Sequence, residues 1–181
     1  NVSVSGTSTG TVNVTALTLT DIENVLVSNF DANTNDAHDH VFNGSLFSGV
    51  TTVGMTSSSA TGDTSFTNLA SIANARMESG SGDLNTDFAA AAVSGSSDAQ
   101  GLSLNGQTAG DFSTDGGIET LNVSSTSAAA ASTLTSITAT GVKTINIDAD
   151  ANFTVTNDLG ATVTTVDASN SAASVSVGLG T

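Results

Sequence analysis

One short apolar phrase is written repeatedly along this chain, and that repetition constrains its fold more than any other feature. Ile118-x-x-Leu121-x-Val123 returns as Val142-x-x-Ile145-x-Ile147, a shift of 24 residues, and again as Val163-x-x-Val166-x-Ala168, a further shift of 21. A second apolar pair follows the later copies, Phe153 and Val155 and then Val175 and Val177, 22 apart. Each unit reads as strand, acidic or Ser-rich turn, strand, turn, restart. A period of about 20–25 residues is the length of one rung in a stacked β-solenoid, whose units bury their apolar face only against their neighbours.

Earlier in the chain the phrase loosens. Ile22-x-x-Val25-x-Val27 precedes Val50-x-x-Val53-x-Met55 by 28 residues, and Leu69-x-x-Ile72 follows the latter by 19. Residues 11–20, TVNVTALTLT, alternate apolar residues with Thr and predict one strand exposed on a single face. The Ala run within residues 86–97, TDFAAAAVSGSS, predicts a short helix stopped by Ser and Gly. The fold class expected is all-β, a β-solenoid or parallel β-helix-like stack of rungs, with room for a β-sandwich-like insertion within residues 30–115. Residues 1–115 form a β-rich part with irregular rungs and residues 116–181 the regular repeats, in one continuous unit of a longer chain. Stacking in register places Asn122, Asn146 and Asp167 in one polar ladder at the spacing of about 4.8 Å between strands. A pair of antiparallel sandwiches is the competing fold, since it too has short strands at regular spacing.

Composition agrees with thin β-structure: Cys, Pro, Trp and Tyr are absent, and Ala, Val, Ser, Thr and Gly dominate. β-branched side chains suit a pleated surface, and small ones allow tight stacking. Without Pro, turns depend on Gly, Asn, Asp and Ser. Charge is the sharpest constraint. Seventeen acidic residues face two basic ones, Arg76 and Lys143, for a formal net charge of −15. Nothing here neutralises phosphates, so nucleic acid is excluded as a partner. Anionic membrane surfaces repel such a chain, and no apolar run approaches the ~20 residues that span a bilayer, so membrane insertion is not expected. The carboxylates must stay solvated and dispersed, or be gathered by divalent cations. No signal peptide is visible and the chain begins at Asn1, which reads as a processed product or a piece of a longer protein.

Two clusters have the chemistry for such cations. Asp148, Asp150 and Asn152 alternate with small residues, so their oxygens share one side of an extended segment or the rim of a turn. Asp158 and Asp167, from the next turn and the next rung, can complete the six to eight oxygens that calcium takes. The other cluster is FDANTNDAHDH, residues 30–40, with Asp31, Asp36 and Asp39 as calcium candidates and His38 and His40 as weaker zinc candidates. A solvated acidic edge explains either cluster equally simply. SGSGD at 79–83 lacks the Lys of a phosphate loop, and no nucleophile elbow or aromatic sugar platform accompanies the abundant Ser, Thr and Asp. The chain is therefore not expected to be an enzyme.

The phrases GIETLNVSST and DIENVLVSNF, with the Ala/Thr/Ser/Val bias and scarcity of basic residues, resemble the surface-layer (S-layer) proteins of Gram-negative bacteria. That resemblance implies an extracellular protein on the bacterial cell surface, secreted without disulfides. It also implies calcium-dependent self-assembly into a lattice, with outer-membrane polysaccharide as a partner through another region. The G-G-x-G-x-D calcium repeat of many relatives is absent, so no motif assigns ligands residue by residue. Similar phrases occur in biofilm adhesins and extracellular filaments, which leaves a glycan-binding adhesin domain as the alternative.

Overall fold

A computed structural model describes residues 2–6, 10–30, 40–126 and 130–180, with residues 2–6 described by their backbone. The chain is a β-solenoid in which every recorded strand pair is parallel. One face is an eight-stranded sheet. Its strands are Val2–Gly6, Asn24–Asn29, Thr52–Thr56, Asn74–Glu78, Ala99–Asn105, Thr120–Ser125, Thr144–Ala149 and Thr165–Asp167, stacked in chain order. The facing sheet has six strands, Val12–Val14, His40–Asn43, Thr64–Leu69, Leu84–Phe88, Asp111–Thr114 and Ser136–Thr138, also in chain order. A three-stranded sheet, Ser132–Leu134, Phe153–Leu159 and Val175–Leu179, forms the last part of that face, and Leu19–Thr20 pairs with Phe47–Ser48 in a two-stranded one.

Alternation of side chains explains why each strand sits where it does. Along Thr144–Ala149, Ile145, Ile147 and Ala149 are buried while Asn146 and Asp148 are exposed. Identical slots then stack from rung to rung. Leu121 pairs with Ile145 and Ile145 with Val166, 24 and 21 residues apart, as the repeated phrase requires. Val25, Val53, Ala75, Leu102, Val123 and Ile147 form the next ladder. Phe153 pairs with Val175 across the facing sheet.

The phrase is faint in the middle of the chain for physical reasons. The rung after Val50-x-x-Val53-x-Met55 is not the expected Leu69-x-x-Ile72. It is Ile72-x-x-Ala75-x-Met77, because Val53 pairs with Ala75 and Met55 with Met77. In the following rung Gln100 occupies an inward slot. It is fully buried and satisfied within the core: Nε2 donates to the Ala73 carbonyl at 3.0 Å, and Oε1 accepts from the hydroxyls of Thr86 and Thr114. A polar side chain is tolerated inside when its hydrogen bonds are made. Residues 40–115 accordingly carry parallel strands of the same solenoid where a sandwich-like insertion was allowed for.

Two local expectations fail. Thr86 and Phe88 belong to the strand Leu84–Phe88, and the Ala run that follows makes a turn in which the Ala92 N–H donates to the Ala89 carbonyl at 2.7 Å. Four alanines are too few to offset helix nucleation, while Thr86 and Phe88 gain burial in the strand. The one helical turn among the described residues is the 3-10 segment Gly44–Leu46, capped by the Asn43 side chain. Residues 11–20 make two strands in different sheets, Val12–Val14 and Leu19–Thr20, since the chain turns a corner between them.

The core holds more bulk than the composition suggests. Six of the seven phenylalanines are buried, and Phe42, Phe66, Phe112 and Phe153 are almost completely so. Phe42 stacks on Phe66 with ring centroids 5.3 Å apart. All six lie on strands outside the eight-stranded sheet, whose buried side chains are Val, Ala, Ile, Leu and Met with the polar Asn29, Gln100 and Ser125. Fully burying a Phe side chain is worth about 1.5–3 kcal/mol. At one corner Ser57, Ser79 and Gly106 follow successive strands, all with left-handed backbone (φ 54°, 53° and 64°). The amide of Ser57 donates to the Glu78 carbonyl and that of Ser79 to the Asn105 carbonyl, so rung pairing continues through the bend.

Candidate functional site

Outward-facing slots of the eight-stranded sheet stack as polar ladders. Asn74, Gly101, Asn122, Asn146 and Asp167 form one, and Arg76, Ser103, Ser124 and Asp148 form its neighbour. Asn146 Nδ2 donates to Asn122 Oδ1 at 2.8 Å, and Asn74 Oδ1 accepts from the Gly101 N–H at 3.0 Å. Apart from Arg76, these residues line an open groove of about 630 Å³ along the outer face, with Asp148, Asp167 and Asn170 toward the C-terminal rungs. At that end Asp148 and Asp167 line the groove with Asn146 and Asn170, residue types whose side-chain oxygens are hard donors. The Asp167 carboxyl lies below the ordinary carboxylate range because the backbone N–H and hydroxyl of Ser169 stabilise its charge.

The structure divides the residues that sequence grouped together. Asp148 and Asp167 line the same groove. Asp150 is exposed at the bend after the strand and does not line it, its own amide donating to the Ser125 carbonyl at 2.9 Å. Asn152 is exposed and is engaged in rung pairing, where its Oδ1 accepts from the Ser174 N–H at 3.2 Å. Asp158 sits across from Gly178 on the other face, in a separate shallow groove with Asn157 and Ser136. The bend after Ala149 takes Asp150 and Asn152 off the strand that carries Asp148, so the five side chains are not gathered in one groove. Asp36 and Asp39 lie outside the described residues, as do Asp31 and His38. Among the described residues no three His, Cys, Asp or Glu side chains are gathered closely enough to hold a metal by themselves.

A second acidic feature escaped the sequence reading. Asp63 and Asp83 immediately precede, and Asp111 opens, successive strands of the six-stranded sheet, and the three stack at one edge. The Asp83 N–H donates to Asp63 Oδ1 at 2.8 Å, and the Asp111 N–H donates to Asp83 Oδ1 at 2.7 Å. Backbone donors thus offset part of the repulsion between carboxylates one rung apart. The signal was present as DTSF, DLNT and DFST at residues 63, 83 and 111, each an Asp followed by an alternating strand. Another carboxyl pair lies at the next corner. Burial, with the neighbouring Asp115, pushes Asp87 up. Burial also works to raise Asp115, but the Gly117 N–H, Asp87 and the Phe88 N–H outweigh it, and its carboxyl is held down.

Fold and surface define a parallel β-solenoid with polar, acid-bearing ladders on its outside. No protein-family profile, no curated protein and no solved structure matches the chain.

Proposed function

We propose that this chain is a structural, non-catalytic protein of the bacterial cell surface that self-assembles into a calcium-dependent extracellular layer. One observation carries the reading: a stiff, continuous stack displays carboxylates on its outer ladders and edges with almost no cations to neutralise them. Of the two basic side chains, Arg76 is paired with Glu78, leaving Lys143 against the remaining acid. Lateral contact between such surfaces is repulsive unless cations bridge it. Calcium held between the Asp148–Asp167 end of the groove and a neighbouring molecule converts repulsion into adhesion. Outer-membrane polysaccharide fits as an anchor through another region.

The second reading, a glycan-binding adhesin domain, draws on the same groove, whose amides and hydroxyls can hydrogen-bond a polyhydroxylated ligand. Electron microscopy and sedimentation of the protein in chelator and in millimolar calcium separate the two. Sheets or large assemblies that form with calcium and disperse in chelator support the layer. A monomer in excess calcium that binds soluble glycan supports the adhesin.

A further inference from the structure

The groove on the eight-stranded sheet has two chemically unlike ends. Its slots face sideways from the stack, so their exposure is set by strand alternation. From Asn74 to Asp167 the ladder climbs four rungs, about 19 Å at the usual strand spacing. Asn74 Oδ1 accepts from the Gly101 N–H, and Asn122 Oδ1 accepts from Asn146 Nδ2. Those bonds leave Nδ2 of Asn74 and Asn122 as donors and Oδ1 of Asn146 as an acceptor. The far end carries Asp148 and Asp167, both exposed, and among the described residues neither is in a salt bridge. Donors thus lie toward one end and anionic acceptors at the other.

The walls and floor select the class of occupant. Leu102, Val123 and Ile147 lie along the groove, but each is at most 2% exposed, so it holds no apolar pocket. Its strands Ala99–Asn105, Thr120–Ser125 and Thr144–Ala149 are paired on both sides, so no extended peptide can add to the sheet there. A peptide would gain neither backbone pairing nor side-chain burial. Amides and hydroxyls at successive rungs suit a ligand that repeats its own hydroxyls at comparable spacing, a linear glycan. The formal charge of −15 repels acidic glycans, and the Asp148–Asp167 end attracts a cation.

We infer that the groove binds a linear amino sugar chain laid along the stack, its oxygens on the Asn74 and Asn122 amides and a protonated amine at Asp148 and Asp167. This rests on the adhesin reading of the groove and adds to it the class of glycan. An ammonium held by carboxylates makes charge-assisted hydrogen bonds, roughly twice as strong as neutral ones. Acetylating that nitrogen removes its charge and most of its donors, so the acetylation state of the chain decides binding. Calcium is a competitor, because it would take the same two carboxylates.

Titration calorimetry of the 181-residue chain in chelator and mildly acidic buffer tests it. The probes are a glucosamine tetramer, its fully N-acetylated counterpart and a lysine tetrapeptide of similar charge. The glucosamine tetramer should bind about tenfold or more tightly than either of the others, with affinity falling as salt rises. Asp148→Asn with Asp167→Asn should reduce it to the level of the acetylated chain, and Asn122→Ala should weaken both sugars. Asp150→Asn with Asp158→Asn removes as much charge outside the groove and should leave the sugar bound as before. Circular dichroism checks that each variant keeps its fold. Equal binding of the tetrapeptide, or a loss that is the same for either pair of Asp variants, would mean general attraction to an acidic surface and overturn the inference. Equal binding of the acetylated chain, weakened by Asn122→Ala, would overturn the amine assignment alone and leave the adhesin reading standing. Binding of neither sugar would overturn both, with the calcium-dependent layer judged separately by electron microscopy.

Discussion

Asn146 on one rung donates its side-chain amide to the side-chain carbonyl of Asn122, 24 residues earlier and one rung away, at 2.8 Å. The donor reaches its partner because the backbones of Asn122 and Asn146 pair directly, and Asp167 occupies the same slot on the following rung. Replacing Asn146 by Asp puts a carboxylate between the Asn122 carbonyl and the Asp167 carboxylate. A hydrogen bond worth about 0.5–1.5 kcal/mol is lost and like charges face each other across a rung. Thermal unfolding should show a lower Tm for Asn146→Asp than for Asn146→Ala at neutral pH and low salt. Added salt should narrow the difference.

Ile145 is the second test of register. It is 1% exposed, between Leu121 and Val166 in the central ladder. Ile145→Asp places a carboxylate where no cation can reach it, at a cost of several kcal/mol. Residues 118–180 should lose their fold, seen as reduced β-signal in circular dichroism and fast hydrogen exchange in those rungs. Unchanged melting would mean that Ile145 does not point inward.

Those ladders also show what was legible in the sequence. Where apolar side chains fill the phrase's inward slots, as at Ile118, Leu121 and Val123 and at Val142, Ile145 and Ile147, the phrase gives register to the residue. Where Ala75 or Gln100 takes an inward slot, the backbone ladder continues but apolar periodicity does not, and the reading slips to Leu69. Gln100 could not be recognised as an interior residue because its partners, Ala73, Thr86 and Thr114, come from three other strands or turns. The site was less legible for a related reason. Spacing of two residues brings side chains to one face only while the strand stays extended, and the bend after Ala149 separates Asp150 from Asp148. The groove instead collects Asp148 and Asp167 from adjacent rungs, a neighbourhood set by stacking rather than by sequence distance.

Close stacking leaves no room for a side chain at Gly54. A Cβ at Gly54 would lie 2.1 Å from the carbonyl oxygen of Arg76, a backbone atom of the next rung. Gly54→Ala should force the rungs apart and lower stability by about 1–3 kcal/mol, as overpacking does. Gly10 has no heavy atom within 4 Å of a Cβ placed there, so Gly10→Ala should leave Tm unchanged or raise it slightly. Denaturant melts of the two variants check the contrast.

Stability against pH should carry the mark of the Asp87–Asp115 pair. Burial and Asp115 raise the Asp87 pKa above its unfolded value, so protonating Asp87 favours the folded state as pH falls through its folded pKa. Asp115 works oppositely: its depressed pKa contributes stability above the unfolded value, lost as pH falls through the folded one. Asp87→Asn mimics the protonated form. It should raise Tm at neutral pH, and the gain should shrink as pH drops through the carboxylate range. A gain independent of pH would mean that Asp87 is not the group responsible.

Calcium response distinguishes the groove from the bend. Asp148 and Asp167 share the groove end with Asn146 and Asn170, whereas Asp150 is exposed outside it. Under the proposed function, Asp148→Asn with Asp167→Asn removes both charges but retains two carbonyl oxygens, so binding should weaken rather than vanish. The Tm difference between millimolar calcium and chelator should shrink in that double variant. Asp150→Asn should keep the wild-type difference while gaining a little stability from relieved repulsion. If Asp150→Asn abolishes the calcium shift and the groove pair does not, the cation sits at the bend. If neither changes it, the stacked Asp63, Asp83 and Asp111 are the next carboxylates to replace, since three successive rungs align acid at their edge.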